Sequence, residues 1–321
     1  MEAGALRSPL AARRRLGDRV GDVALLGLTA AAAFGAVALV GLLAYKVFDQ
    51  AWPAISKYGL GFLVHETWDP IHDRFGALDL IYGTALTSFV AVMIAAPLSI
   101  AIGLYLSELA PRGVRGAVGS LVEMLAAVPS VVLGLWGILV MGPFLQKHVE
   151  PWLHSALGFL PFFRGDPSSS GVLPAIVVLT IMVVPITSSI SRELFLSVPA
   201  ELEEGALALG LTRWEMVRGV VLPYTRAGVV AAVILGLGRA LGEAIAVTQV
   251  IGGATAHHIS FFATGDTLAS RIASQYQGAI TKLQISSLVY LAAILLVFTL
   301  ITNVAAQWVI GRFEFQRTGG S

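Results

Sequence analysis

Six stretches of this sequence are long and apolar enough to cross a lipid bilayer, and this feature limits the possible folds more than any other. They run over approximately residues 23–45, 80–106, 117–145, 172–191, 227–252 and 285–310. About 20 mostly apolar residues suffice to cross a hydrocarbon core of roughly 30 Å. Only 13% of the 321 residues are charged, against about 25% in soluble domains. The sequence therefore predicts an all-α fold, a polytopic membrane bundle of six transmembrane helices.

The first apolar stretch follows the basic segment RRRLGDR, as the core of a cleaved signal peptide would. Its uncharged run from Val23 to Tyr45 is longer than the ~7–15 residues of such a core, so we expect a retained anchor. The predicted organisation has four parts, which are a tail (1–22), the first helix with an outer segment (23–79), a five-helix core (80–311) and a second tail (312–321).

Lysine and arginine residues in the loops predict the orientation, because positive residues are retained on the cytoplasmic side. The two tails and one set of alternate loops carry thirteen of them, and the other loops carry seven. We therefore expect both termini and the loop 191–225 in the cytoplasm. The basic residues form no long patch, and no nucleic acid partner is predicted.

Prolines interrupt three of the apolar stretches, at Pro97, Pro129 and Pro185. Each proline removes a backbone donor and clashes with the preceding turn. In lipid such breaks survive where protein or a wet cavity satisfies the freed carbonyls. Ordinary kinked helices and a bundle with a partly polar interior both remain open. The GRALG segment at 238–242 adds a small-xxx-small spacing that permits close approach of another helix.

The segment 197–223 predicts two short helices joined by a tight turn. Gly210 is typical of the end of the first helix. Thr212 and Glu215 form a capping box that opens the second helix, and Pro223 is expected to end it. The hairpin has little apolar surface of its own, so we expect it to dock against another surface.

This segment resembles the EAA loop of ABC importer permeases, whose pattern is Glu-Ala-Ala-x3-Gly-x9-Ile-x-Leu-Pro. The matching residues are Glu204, Gly205, Ala206, Gly210, Leu222 and Pro223. Glycine stands at 205 where alanine is usual, and valine stands at 220 where isoleucine is usual. The resemblance implies a coupling helix in a groove of a separate ATPase subunit, where the small residues at 205 and 206 permit close contact. The alternative is a merely interfacial amphipathic hairpin.

Other strings narrow the resemblance to the permeases of bacterial phosphate-specific (Pst) importers. They include WDP at Trp68, FGALDLIYGTALTS from Phe75, VPSVVLGLWG from Val128 and VILGLGRALGEAIAVT from Val233. The WDP…FG stretch distinguishes the chain from the paralogous permease PstA. The resemblance covers about residues 68–252, whereas the sixth apolar stretch is a generic apolar helix. It implies the type I ABC importer permease fold in the bacterial inner membrane.

The same resemblance implies the partners. They are a PstA-like second permease subunit, two ATP-binding cassette ATPase subunits, a periplasmic or lipid-anchored phosphate-binding protein, inorganic phosphate and membrane lipid. The chain lacks a Gly-x4-Gly-Lys-Ser/Thr loop. We therefore expect it to be no enzyme and to hold no cofactor, with ATP and Mg²⁺ bound by the ATPase subunits. It contains no cysteine, and the adjacent His257 and His258 lack the i, i+4 spacing of paired ligands, so no metal site is predicted.

The fifth apolar stretch holds Arg239 and, four residues later, Glu243. An arginine at mid-membrane costs about 2.5–3.5 kcal/mol on insertion scales, so it should face the bundle interior with a partner. At i+4 on a helix, Glu243 should share its face. One interpretation is a structural ion pair. The other is an anion pathway, since a guanidinium fits phosphate oxygens two at a time. Ser130, beside the break at Pro129, is a further candidate for this pathway.

In Pst-type permeases this arginine and glutamate are implicated in transport, and both occur in this chain. Glu243 would hold Arg239 in position or accept a hydrogen bond from a protonated phosphate oxygen. The resemblance thus implies the permease subunit of an ATP-driven phosphate importer. Two alternatives remain, which are an ABC permease for another oxyanion or small solute and a secondary carrier that uses Glu243 as a proton relay.

Overall fold

The computed structural model of the protein describes residues 16–254 and 259–318, and within these ranges it contains helices and loops without a β-strand. The α-helices are α1 (Leu16–Tyr58), α2 (Leu78–Leu104), α3 (Arg112–Ala126), α4 (Ser130–Trp136), α5 (Gly142–Phe144), α6 (Glu150–Leu157), α7 (Val172–Leu196), α8 (Ala200–Ala208), α9 (Arg213–Met216), α10 (Leu222–Gly242), α11 (Ile245–Val250), α12 (Leu268–Gln275) and α13 (Lys282–Thr318). Wider π turns at 105–109, 137–141, 145–149 and 217–221 continue several of these helices.

Six helical segments in the described ranges are long and apolar enough to cross a membrane, as predicted. They are Gly21–Leu63, Leu78–Leu109, Ser130–Leu157, Val172–Leu196, Arg213–Gly242 and Lys282–Trp308. The chain divides into two compact units, residues 1–49 and 50–321. In the first unit, the apolar side chains of α1 are exposed along the helix.

Two of the predicted spans are wrong in their boundaries. The third was expected at 117–145, but it begins at Ser130, because the chain is extended at Pro129 and residues 112–126 form the separate helix α3. The fifth was expected at 227–252, but it begins at Arg213 and ends at Gly242. The apolar residues of α11 extended the predicted span, although a backbone break separates this helix from α10.

The core of the second unit lies where α2, α7 and α10 pack together, with α4 and α11 at its side. Glycines allow the close approach. A Cβ atom at Gly103 of α2 would lie 3.2 Å from the Ser191 and Phe195 side chains of α7. A Cβ atom at Gly236 of α10 would lie 2.7 Å from Thr187 Oγ1 of the same helix α7. Helix α7 is thus the central element that both neighbours contact closely.

The segments 59–77, 251–254 and 259–281 pack beside the beginning of α2, and we call them the loop layer. A buried ion pair lies in it, with Arg271 Nε 2.7 Å from Asp266 Oδ2. The Arg271 guanidinium also lies 5.8 Å from the ring centroid of Trp68 and donates to the carbonyl oxygen of Gly253. Burial raises the pKa of Asp266, and the Arg271 charge partly offsets this effect. The pair therefore holds the WDP segment and the loop after α11 together.

Candidate functional site: an open groove and a docked hairpin

An open groove with a volume of about 510 Å³ runs along α10 and contains the predicted arginine and glutamate. Three helices supply its walls. Its lining residues are Ile186, Ile234, Leu235, Gly238, Arg239, Gly242, Glu243 and Asn303.

The sequence of α10 places two kinds of glycine on different faces. Gly228 and Gly236 lie against Leu194 and Thr187 of α7, where a Cβ atom would approach to 2.7 Å. A Cβ atom at Gly238 or Gly242 would meet no atom within 4 Å outside its own helix. The GRALG glycines therefore leave room in the groove on the side that this chain does not fill.

Arg239 lies on this open face, and its side chain is exposed. No described residue forms an ion pair or a hydrogen bond with its guanidinium. The prediction that Arg239 faces the interior of the bundle with a partner is wrong for this single chain. The packed face of α10 is occupied by its contact with α7, and Arg239 lines the open groove beside this contact.

Glu243 does not continue the helix. Its ψ angle of 112° is extended, and it forms the C-terminal cap of α10. Its side chain turns to the next helix, where Oε1 accepts a hydrogen bond from the backbone N–H of Ala246 at 3.3 Å. The expectation of an i, i+4 pair on one helical face is therefore wrong. Glu243 nevertheless lines the same groove as Arg239 and is half-buried.

Ser130 is the first residue of α4, and it is half-buried. A Cβ atom at Gly134 would lie 2.9 Å from Cα of Ala246, and one at Gly137 would lie 2.8 Å from Val250. Helices α4 and α11 consequently lie side by side and run in the same direction. Ser130 is not among the lining residues of the groove.

The hairpin between α7 and α10 is built as its sequence predicts up to Met216. Gly210 has φ +85°, in the left-handed region that favours glycine. Glu215 N–H donates to Thr212 Oγ1 at 3.3 Å, and Thr212 N–H donates to Glu215 Oε2 at 2.8 Å, which confirms the capping box. Pro223 does not end the helix. A π turn at 217–221 precedes it, and Pro223 lies in the first turn of α10, where a missing N–H is tolerated.

The residues of the EAA-like pattern divide between two faces. Glu204, Gly205 and Gly210 are exposed, and Pro223 is exposed as well. Ala206 is only 6% exposed, because it packs in a cluster with residues such as Phe195 and Met216 of this chain. The expectation that Ala206 is available to a partner is therefore wrong. Leu222 is partly buried against the same cluster.

A hydrogen bond holds the hairpin against the π turn 105–109 that follows α2. Arg213 Nη1 donates to the carbonyl oxygen of Glu108 at 3.2 Å. Burial, with a smaller effect of the Glu108 carboxylate, raises the pKa of Glu203. On the outer side, Leu209 is 85% exposed and Trp214 is 66% exposed. The hairpin thus has one docked face and one apolar face that this chain leaves uncovered.

The groove also contains a residue that the sequence argument missed. The sixth apolar stretch was interpreted as a generic helix, yet Asn303 of α13 lines the groove. It is the only carboxamide between Gln284 and Gln307. A polar amide inside an apolar span is the signal that identifies such a position.

The predicted absence of a metal site rests partly on His257 and His258, which lie outside the described residues. Among the described residues, no group of three or more histidine, cysteine or acidic side chains is placed to hold a metal ion.

Comparison with known proteins defines the class of this chain. Residues 95–315 match the family described as binding-protein-dependent transport system inner membrane component. Two solved transporters share the fold. The alginate ABC transporter matches with a TM-score of 0.59 at 18% identity, over 90% of this chain and 97% of that chain. The MetNI methionine ABC transporter matches with a TM-score of 0.54 at 20% identity, over 73% and 94%. The chain is a multi-pass membrane component with the type I ABC importer permease fold.

Curated relatives narrow the class. The phosphate transport system permease protein PstC of Mesorhizobium japonicum is 42% identical over 93% of this chain and 92% of its own length. PstC of Pasteurella multocida is 42% identical over 82% and 83%, and PstC 1 of Mycobacterium tuberculosis is 41% identical over 87% and 85%. The chain belongs to the PstC family of phosphate transport permeases.

Proposed function

We propose that this chain is the permease subunit of an ATP-driven importer of inorganic phosphate, and that the groove on α10 is its half of the translocation pathway. The observation that carries the proposal is an arginine without a partner in the described chain, on an open face of a membrane helix. The other half of the pathway comes from a PstA-like second permease subunit that covers this face.

The depth of Arg239 supports an intramembrane anion site. The positive-inside rule assigns the α8 end of the bundle, and both termini, to the cytoplasm. Arg239 lies three residues before the end of its span at Gly242, and therefore in the outer part of the span. A guanidinium within a membrane span is costly in lipid and typically marks an ion pathway. A second subunit and a passing anion would remove that cost.

The groove chemistry fits phosphate. The Arg239 guanidinium stays charged at every physiological pH and offers paired donors for phosphate oxygens. Glu243 uses one oxygen at the backbone of Ala246, and its other oxygen can accept a hydrogen bond from a P–OH group. Sulfate carries no such proton at neutral pH. Binding at this site must stay weak enough for release.

The outer face of the hairpin fits a coupling role. Glu204 and Gly205, with the exposed Leu209 and Trp214 nearby, would enter a groove of a cytoplasmic ATPase subunit. Two such subunits would bind ATP and Mg²⁺, so that this chain needs no cofactor and hydrolyses nothing. A periplasmic or lipid-anchored phosphate-binding protein would deliver the anion at the opposite side.

The decisive experiment compares Arg239→Lys and Arg239→Gln in the assembled complex with its binding protein, reconstituted in proteoliposomes. We expect Gln to reduce phosphate uptake and phosphate-stimulated ATP hydrolysis by more than tenfold, since it removes the charge, and Lys to retain part of both. Arg74→Gln is the matched control, because Arg74 is exposed in the loop layer and does not line the groove. Normal uptake with Arg239→Gln would refute the assignment.

The same proteoliposomes separate the alternatives. If sulfate suppresses the uptake of labelled phosphate as strongly as unlabelled phosphate does, the chain is a permease for another oxyanion. Uptake that persists without ATP and stops when the proton gradient collapses would indicate a secondary carrier with Glu243 as the relay. We expect neither. An arginine without a partner suits an anion and not a proton, and the free oxygen of Glu243 suits a P–OH group that sulfate lacks.

A further inference from the structure

We propose that Asn303 is a specificity-determining residue of the groove, which hydrogen-bonds the transported anion together with Arg239. This inference rests on the proposed function of the groove. It adds a contact from α13, a helix that the sequence argument treated as generic.

The position of Asn303 supports this role. It lines the groove that contains Arg239, on the wall that α13 supplies. It is half-buried, and its carboxamide forms no hydrogen bond with any described residue. The preceding residue behaves differently, since Thr302 Oγ1 donates to the carbonyl oxygen of Phe298 on its own helix at 2.8 Å. Asn303 thus keeps its full hydrogen-bonding capacity for something in the groove.

The surroundings make that free capacity costly. Apart from Arg239 and Glu243, the other residues that line the groove are aliphatic or glycine and offer no polar side chain. A carboxamide in an apolar environment without a hydrogen bond costs a few kcal/mol. An apolar residue at 303 would avoid the cost, so a polar ligand or a wet pathway is the economical explanation of the amide.

The chemistry of the amide complements that of the arginine. A guanidinium only donates hydrogen bonds, whereas a carboxamide donates through Nδ2 and accepts through Oδ1. Monohydrogen and dihydrogen phosphate carry both P–O acceptors and P–OH donors. Asn303 can therefore donate to one phosphate oxygen and accept from a protonated one, while Arg239 balances the charge. A fully deprotonated oxyanion such as sulfate would leave Oδ1 without a partner.

The test uses the full complex with its binding protein at saturating phosphate. Under this condition the measured rate is the turnover of transport, and delivery of phosphate by the binding protein does not limit it. We expect Asn303→Leu, which keeps similar volume, to lower turnover about tenfold, the size typical of a hydrogen bond to an ion. Thr302→Val is the matched control on the same helix and should remain within twofold of the wild type. Asn303→Ser introduces a smaller polar residue, and its turnover should lie between those of Asn303→Leu and the wild type.

Asn303→Asp supplies a readout that a packing role would not affect. When ionised, this aspartate repels the anion, but when protonated it can donate and accept as asparagine does. We therefore expect the ratio of Asn303→Asp turnover to wild-type turnover to rise at least fivefold as the pH falls from 8 to 5.5. A ratio that does not change with pH would assign Asn303 to packing and overturn the proposal.

Wild-type turnover in both Asn303→Leu and Asn303→Asp would overturn it as well. If Asn303→Leu does not assemble, Asn303→Asp and Asn303→Ser decide the question. The proposed function fails separately, since it requires Arg239→Gln to lower phosphate uptake by more than tenfold. An inactive Arg239→Gln beside fully active Asn303 variants would remove only the present inference.

Discussion

At the scale of single residues, the spacing of glycines along α10 separates the face that packs against this chain from the face that lines the groove. Gly236 belongs to the first face and Gly238 to the second, although only one residue lies between them. A rotation of 200° for two helical residues places them on nearly opposite sides. Gly236 contacts α7 and is buried, whereas Arg239 lines the open groove and is exposed.

The two faces predict different effects on stability when a glycine of α10 is replaced by alanine. Gly236→Ala places a Cβ atom 2.7 Å from Thr187 Oγ1 and 2.8 Å from Val183 Cγ1, and the helices must move apart. We expect a loss of about 1–3 kcal/mol, as is typical of overpacking. Gly238→Ala meets open space and should not lower stability, since alanine is the better helix former. Thermal denaturation of the purified complex measures both, and equal stability of the two variants would contradict the packing described.

At the scale of elements, the hairpin 197–221 works as a two-sided unit. Ala206 attaches it to its own chain through a cluster with Phe195 and Met216. Leu209 and Trp214 are on the uncovered side. The capping box and the left-handed Gly210 shape the turn between the two short helices, and the π turn at 217–221 joins the second of them to α10.

Two substitutions should distinguish the face of the hairpin that packs against its own chain from the face proposed to bind the ATPase subunit. We expect Trp214→Ala to leave the permease folded but to reduce its binding to the ATPase subunit at least tenfold, because an exposed aromatic side chain is lost. Ala206→Leu should instead lower the stability of the permease by about 1–3 kcal/mol, since its pocket is filled. Affinity in detergent and the unfolding midpoint are the two measurements. ATPase binding that is unchanged in Trp214→Ala would exclude this face as the contact.

At the scale of the whole molecule, buried polar contacts join segments that are far apart in the sequence. Asp266 pairs with Arg271, which in turn donates to Gly253 and lies over the ring of Trp68. The Trp68 indole N–H donates to Gln275 Oε1 at 2.7 Å. The Asp266 and Arg271 side chains are 1% and 7% exposed. Within the loop layer, these contacts thus join the segment after α1 to the segment after α11.

Breaking this pair should destabilise the molecule strongly. Arg271→Gln leaves the Asp266 carboxylate buried without its counter-charge, and we expect a loss of about 3–5 kcal/mol. The double variant Asp266→Asn/Arg271→Gln removes both charges and should recover much of this loss. Chemical denaturation of the reconstituted permease measures the effect. A double variant as unstable as the single one would show that the charges are not coupled.

The sequence by itself determined the class of this protein. The length of the apolar stretches predicts six membrane helices, because each must cover the hydrocarbon core, and the turn chemistry of Gly210, Thr212 and Glu215 predicts the hairpin, because these preferences act over three or four residues. The strings from Trp68 to the fifth apolar stretch predict the permease family. All of these signals are local.

Only the tertiary structure decided which side of each helix is free. The exposure of Arg239, the turn of Glu243 towards α11, the burial of Ala206 and the presence of Asn303 in the groove all depend on which faces meet α7, α11, α13 and the hairpin cluster. In a membrane span nearly every position is apolar, so periodicity does not reveal the packed face. Close contacts at glycines and one backbone break at residue 243 select that face, and they depend on contacts between residues distant in the chain.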